Sequence, residues 1–380
     1  MSSTKKRHRK VRVGIVFGGQ SGEHEVSLTS AKGIMNAIDK NRYDVIPIGI
    51  TKEGQWLTGE NIHQQLLDAA AGHPVIEAEF QQPKAVTEDS SHLTQLILGV
   101  EETGPLDVIF PVLHGTYGED GTVQGFFELV GIAYVGSNVT ASAAAMDKVI
   151  AKDIFRAHGL PIVTHRVFLR QQWQSNPESI IAECEAAMSY PMFVKPANLG
   201  SSVGIHKVKN KSELGNGLSD AGRYDRKLIV EQGLDAREIE VSVLGNDDPM
   251  ASVPGEIIPS REFYSYAAKY IDNRSELLIP APLTPEHIEL IQNLAVMAFR
   301  ALDCSGLARC DFLLERATGE AYLNELNTMP GFTPISMYPK LWEASGISYR
   351  ELIDRLIELA MERHQEKRQS QTTFDVDTAE

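Results

Sequence analysis

Four polar residues late in the chain recur at a spacing that can do chemistry: Arg309 and Asp311 in A-R-C-D-F-L-L-E, and Glu325 and Asn327 in A-Y-L-N-E-L-N. Both segments read as strands, and the R-A-T-G-E between them, residues 316–320, has the Gly and polar residues of a hairpin loop. Side chains alternate along a strand. Arg309, Asp311 and Leu313 should therefore share one face, with Cys310, Phe312 and Leu314 on the other. On the return strand Leu323, Glu325 and Asn327 should share a face. With Glu315 paired to Ala321, counting back puts Asp311 opposite Glu325 and Arg309 opposite Asn327. Two carboxylates facing each other across a strand pair repel, so something must compensate. A hard divalent cation fits: two carboxylates and an amide oxygen are ligands Mg²⁺ accepts, with substrate phosphates completing its shell. Arg309 adds a fixed positive charge suited to a phosphate or an oxyanion. The plainer alternative is a solvated hairpin edge where Arg309 pairs with one acid. The apolar opposite face and the exit through Pro330, Gly331 and Pro334 favour the metal site.

Other charged residues sit beside glycines. The turn G-G-Q-S-G-E-H-E, residues 18–25, departs from G-x-G-x-x-G, and Glu23 would put a negative charge where a dinucleotide's pyrophosphate should lie. A carboxylate there suits a cationic group such as a substrate ammonium, or is an acid favoured at a helix start. His114 opens H-G-T-Y-G-E-D-G, as an acid–base group or as a structural loop histidine. Lys148 and Lys195 supply phosphate charge beside the Gly/Ser loop 196–204, which contains Ser201 and Ser202. Lying between two strands, that loop fits a flexible phosphate cover rather than a P-loop; the alternative is a Gly-rich hairpin with two surface lysines. The strand L-I-V-E ends in an exposed acid, Glu231, and Leu234 follows; together they suit a purine edge. Glu238 and Glu240 lie on one face of the next strand and read as edge-strand charges. Residues 262–272 bring Tyr264, Tyr266, Tyr270 and Lys269 together, as a lid loop or as packing.

These groups need more than one sheet to hold them, and 380 residues suggest two or three domains. Strands at 11–17, 43–50, 107–113 and 133–135 alternate with helices starting near 26 and 122, which predicts an open, mainly parallel α/β domain over 11–145. Ligands in such sheets sit at the carboxyl ends of strands, where both Gly-rich turns fall. A helix over 141–157 leads to strands at 163–169, 192–195, 205–208 and 228–231, with a helix around 177–188. An amphipathic helix over 285–302 precedes the hairpin, and a helix over 349–361 closes the fold. Residues 1–10 read as a disordered basic leader rather than a signal peptide, and the tail from about 365 should fray. The net charge of −15 argues against a nucleic-acid surface. No apolar run reaches membrane-span length. The three cysteines, Cys184, Cys304 and Cys310, have no C-x-x-C spacing, so neither a disulfide framework nor a zinc site is expected, and a reducing cytoplasm is the simple inference.

With these residues in view, the sequence resembles the ATP-grasp superfamily, and within it the D-alanine–D-alanine ligase family. The motifs are G-G-Q-S-G-E-H-E-V-S (18–27), H-G-T-Y-G-E-D-G (114–121), M-D-K (146–148), K-P-A-N-L-G-S-S-V-G (195–204), F-Y-S-Y-A-A-K-Y (263–270), R-C-D-F (309–312) and N-E-L-N-T-M-P-G-F-T (324–333). They stand in family order across residues 11–362. The resemblance implies a three-domain ATP-grasp α/β fold: an N-terminal parallel α/β substrate domain (11–145), a central subdomain (146–240) and a C-terminal catalytic subdomain (241–364). It implies a cytoplasmic, dimeric enzyme that joins two D-alanines with ATP, through an acyl phosphate, for peptidoglycan precursors. By the resemblance, Asp311, Glu325 and Asn327 hold two Mg²⁺ (or Mn²⁺) ions. Lys148, Lys195, Ser202 and Lys269 meet the ATP phosphates, Glu231 and Leu234 the adenine, and Glu238 the ribose. Glu23, linked to Ser201 and Tyr270, holds the first D-alanine's ammonium. Arg309 and the Gly331 N–H form the oxyanion hole, Ser336 binds the second carboxylate, and His114 matches the active-site histidine. Related D-alanine–D-lactate ligases commonly lack the tyrosine at the Tyr270 position, so the motif here favours a dipeptide product. The competing readings are another ATP-grasp ligase and a non-catalytic nucleotide-binding protein.

Overall fold

The computed structural model describes residues 9–59, 61–70, 105–200, 203–258 and 276–371. The first sheet contains β1 (Val11–Gly18), β2 (Tyr43–Ile50), β3 (Trp56–Thr58), β4 (Val108–Val112) and β5 (Ala133–Tyr134), in the order β3-β2-β1-β4-β5. β1 is parallel to β2 and β4, and β4 to β5, as the strand–helix alternation requires. After Arg12, β1 is apolar from Val13 to Phe17 because both its faces are covered. Val13, Ile15 and Phe17 pack with Leu28, Ala31 and Ile34 of helix His24–Ala37, while Val16 packs with Ile109 and Phe127 on the other side. Of the strands in this sheet, β3, antiparallel on the β2 edge, was not expected, since three residues are too few to show a period; nor was the helix Ile62–Ala70.

The first Gly-rich turn depends on Gly18. Its φ is +94°, and a Cβ there would stand 2.1 Å from the Ile50 carbonyl oxygen. Gly18→Ala is expected to cost more than ~1 kcal/mol from backbone strain alone, with the collision adding to it. A urea midpoint equal to that of the unsubstituted protein would contradict this.

The second sheet contains β6 (His165–Leu169), β7 (Met192–Pro196), β8 (His206–Val208) and β9 (Lys227–Gln232), all antiparallel in the order β6-β9-β7-β8. The helix expected over 141–157 is two helices, Val139–Met146 and Lys148–Ala157. Asp147 divides them: its backbone is extended and its carboxylate accepts the N–H groups of Val149 (3.0 Å) and Ile150 (3.2 Å) as an N-cap. The same carboxylate holds Lys227 Nζ at 2.5 Å, which docks the start of the second helix on β9.

The third sheet contains β10 (Ala236–Gly245), β11 (Met250–Ala251), β12 (Gly255–Ile258), β13 (Glu276–Leu278), β14 (Gly306–Glu315) and β15 (Ala321–Asn327). Its order is β13-β12-β10-β14-β15, with β11 beside β10. β10 is interior, between β12 and β14, so Glu238 and Glu240 are not edge charges as expected. Helix Pro285–Ala301 covers one face, setting Ile291, Ala295 and Phe299 on Val241, Cys310, Phe312 and Leu323. The closing helix, Tyr349–Lys367, runs past the expected end and into the expected tail. Its Leu352, Ile353, Leu356 and Ile357 join the core of the first sheet, so the C-terminal part of the chain is packed on the N-terminal one. All three cysteines are buried free thiols. Among the described residues no helix is long and apolar enough to cross a membrane.

Candidate active site

The hairpin pairs Asp311 with Glu325 and Arg309 with Asn327, as expected. The route to that register was wrong, however. Leu314, not Glu315, pairs with Ala321, and Phe312 pairs with Leu323; a bulge at Asn324 then restores the count. The extra residue inverts the alternation, so Leu323 is buried beside Phe312 and does not share a face with Glu325 and Asn327. On the other side of Asp311, β10 places Glu240. Glu240, Asp311 and Glu325 thus lie in a row across three strands.

Cations of the chain offset this row. Arg309 binds Asp311 with both arms, Nε to Oδ1 and Nη2 to Oδ2, each 2.7 Å. Its Nε is also 3.0 Å from Glu240 Oε2. Burial opposes the Arg309 charge, but Asp311 and Glu240 outweigh it and hold the guanidinium well above its ordinary range. Lys148 Nζ lies 3.6 Å from Glu325 Oε2 and donates to the Leu199 carbonyl at 2.9 Å. Asn327 donates to Asp311 Oδ2 at 3.0 Å. Among the described residues no three His, Cys, Asp or Glu side chains converge to cage a metal by themselves. Two carboxylates and an amide instead suit Mg²⁺ or Mn²⁺ shared with phosphate oxygens.

Lys195 and Glu231 meet between the neighbouring strands β7 and β9. Lys195 Nζ is 2.5 Å from Glu231 Oε2 and 3.4 Å from Asn324 Oδ1. Glu231 is buried rather than exposed, and its other oxygen, Oε1, takes Lys152 Nζ at 2.9 Å. Burial alone would raise the Glu231 pKa, but the two ammoniums hold its carboxyl well below the usual range. Lys195 is raised: burial opposes its charge, and Glu231 more than offsets that. The sequence reading missed Lys152. Its signal was there, four residues after Lys148 and so on the same side of one helix. Leu234 and Glu238 are half-buried near the β9–β10 connection, with Glu238 opposite Leu313.

Glu23 takes the N-cap position of helix His24–Ala37 and is 8% exposed. The other glycine turns come up to it: a Cβ on Gly115 would be 3.0 Å from Glu23 Oε2, and one on Gly200 3.6 Å. His114 and Glu119 hold the backbone of Met329, two residues before Gly331. His114 Nδ1 is 2.9 Å from the Met329 carbonyl, so it carries the proton, and Nε2 faces Ser30 Oγ at 3.3 Å. Ser30 Oγ in turn accepts the Phe332 N–H at 3.4 Å. Burial lowers the His114 pKa, with Glu23 and the Met329 carbonyl opposing. Burial disfavours its charged form and both its nitrogens are engaged, which suits holding the loop better than moving a proton. Ser336 lies at the other end of that loop. Its Oγ accepts the Thr333 N–H at 3.1 Å and would be 3.2 Å from a Cβ on Gly331. Ser201, Ser202, Lys269 and Tyr270 lie outside the described residues.

Glu119, also missed from the sequence, accepts the N–H groups of Gly115 (2.9 Å) and Met329 (3.1 Å). Burial, then the nearby Glu23 charge, push its carboxyl up to about 8, against its backbone donors and Arg309. Unfolded, it loses its proton near its ordinary value of 4.5. Its contribution to stability is therefore full below that value and is lost as pH rises through about 8, by at most ~1.4 kcal/mol per pH unit. Glu119→Gln should flatten the fall of Tm across this window; an unchanged slope would contradict it.

Residues 12–137 match the model described as D-ala D-ala ligase N-terminus, and residues 154–358 the one described as D-ala D-ala ligase C-terminus. A protein of Natranaerobius thermophilus called D-alanine--D-alanine ligase is 52% identical over 367 residues, covering 96% of this chain and 99% of its own. One of the same name from Geobacillus kaustophilus is 49% identical over 371 residues, covering 96% and 98%. Among solved structures, the D-alanine-D-alanine ligase from Coxiella burnetii has a TM-score of 0.77 at 36% identity, covering 95% of this chain and 96% of that one. The VanG D-Ala:D-Ser ligase from Enterococcus faecalis has a TM-score of 0.78 at 35% identity, covering 93% of this chain and all (100%) of that one. The two family models and these nearly full-length likenesses show that the chain belongs to the D-alanine–D-alanine ligase family.

Proposed function

We propose that the residues gathered from the three sheets are where this chain carries out ATP-dependent joining of two D-alanines for peptidoglycan precursors, with Arg309 as the oxyanion donor. The observation that carries the assignment is the hairpin register, which sets Arg309 beside the Asp311, Glu325 and Asn327 oxygens. Those three residues would hold Mg²⁺ or Mn²⁺, two ions by the family resemblance, and bound metal would offset charge on the ATP phosphates. Lys148 and Lys195, with Ser202 and Lys269, add cations and donors at the phosphates. Leu234 flanks the adenine, Glu231 supports that end of the site through its lysines, and Glu238 faces the ribose.

Glu23 orients the first D-alanine by its ammonium, with Ser201 and Tyr270 completing the link. A carboxylate oxygen of that D-alanine attacks the γ-phosphorus and ADP leaves, giving an acyl phosphate. The free amine of the second D-alanine, placed by Ser336 through its carboxylate, attacks the acyl carbon. Arg309 and the Gly331 N–H stabilise the tetrahedral oxyanion, and phosphate departs with the oxygen first supplied by D-alanine. His114 and Glu119 keep the Gly331 segment in register through Met329. We place the enzyme in the cytoplasm as a dimer.

The nucleophile is tested by offering D-alanine, D-lactate and D-serine together with ATP and Mg²⁺ and weighing the products. D-Alanyl-D-alanine should dominate at neutral pH. A dominant D-alanyl-D-lactate or D-alanyl-D-serine would keep the mechanism and overturn the second substrate.

A further inference from the structure

Lys152 is assigned no contact with phosphate or D-alanine above, yet among the described residues it is one of the most deeply buried charged side chains, at 1% exposure. It joins two sheets. Its Nζ donates to the Asn324 carbonyl of β15 at 3.0 Å and pairs with Glu231 Oε1 of β9 at 2.9 Å. Lys195 takes the same two residues, Glu231 Oε2 at 2.5 Å and Asn324 Oδ1 at 3.4 Å. Two ammoniums therefore share one buried carboxylate and one bulged residue. They differ in freedom. The Asn324 partner of Lys195 is a side chain at long range, whereas that of Lys152 is a backbone carbonyl fixed by the bulge. Lys195 is also the less buried of the two.

We propose that Lys152 is a positioning residue for the nucleotide: it remains as the counter-charge of Glu231, and holds β9 to the β15 bulge, when Lys195 turns from Glu231 to the ATP phosphates. This rests on the assignment of Lys195 to ATP. A buried carboxylate left without a cation is costly. With Lys152 present, Lys195 can leave without stranding Glu231. Without it, Lys195 is held as the sole counter-charge, and binding ATP must break that pair.

Lys152→Met is expected to weaken ATP binding by about tenfold or more, the effect of stranding a buried charge. The KM for D-alanine should move much less. Adding Glu231→Gln should recover part of the ATP affinity, because no buried charge is then stranded. A purely structural role would lower Tm without separating ATP from D-alanine and without this recovery. Unchanged ATP affinity in folded Lys152→Met overturns the proposal. Should that variant not fold, the unsubstituted protein decides, in a structure with Mg²⁺ and a non-hydrolysable ATP analogue. The expected result is Lys152 Nζ still on Glu231 and Asn324, with Lys195 Nζ on a phosphate. Lys152 on the phosphate, or Lys195 still on Glu231, overturns the inference alone. A nucleotide bound elsewhere contradicts the reading of the site itself.

Discussion

Arg309→Ala should reduce turnover by about a hundredfold or more, the usual cost of losing one oxyanion donor, while ATP binding is largely retained. In the proposed role the guanidinium would act from a fixed position, because it is buried and held by Asp311 on one side and Glu240 on the other. Its removal has a second consequence. Glu240 and Asp311 lose their shared cation, and breaking a buried pair commonly costs about 3–5 kcal/mol, so the ligand-free variant should melt earlier. Arg309→Lys separates the two effects. It keeps a charge but loses the two-armed geometry, so it should recover much of the stability and little of the turnover. Steady-state kinetics beside Tm, with and without ATP and Mg²⁺, reads both. Near-normal turnover in Arg309→Ala removes this residue from the mechanism.

The second large effect is expected at Asp311. Asp311→Asn removes one of the two carboxylates proposed to hold the metal. Residues that merely support metal ligands commonly cost about 10–100-fold, and loss of a ligand should cost at least as much. Turnover should fall accordingly at fixed Mg²⁺ and rise partly as Mg²⁺ is increased. Calorimetric titration with Mn²⁺ and an ATP analogue gives a readout independent of turnover, and its affinity should fall. Equal affinity for the Mn²⁺–nucleotide complex in both proteins would show that Asp311 is not a ligand.

Arg309 and Asp311 were legible in the sequence because a hairpin with a polar loop has a strong local signature, and because facing carboxylates need an explanation wherever they occur. The parallel first sheet was legible for a related reason: its strands are apolar runs of ordinary length, separated by helices. What was not legible depends on contacts remote in sequence. The Asn324 bulge left no trace in the alternation, and only compensation by a miscounted loop residue gave the right pairing. Glu240 looked like an edge charge because nothing local tells that β14 lies beside β10. Glu231 looked exposed because Lys152 and Lys195, its partners, are 79 and 36 positions away by residue number. Asp147 looked like one more helical residue, and its capping role follows from the turn in the chain there. Glu119 needed the fold to bring Met329 to it, 210 positions later.

The proposed acyl-phosphate route is tested most directly by following oxygen. D-Alanine labelled with ¹⁸O in its carboxyl group is turned over with unlabelled ATP in unlabelled water, and the released phosphate is weighed. The account predicts one ¹⁸O in the phosphate for every dipeptide formed, because the oxygen that attacks the γ-phosphorus leaves with it. Unlabelled phosphate accompanying the dipeptide would contradict the account, since the carboxylate would then not have been the group that received the phosphoryl.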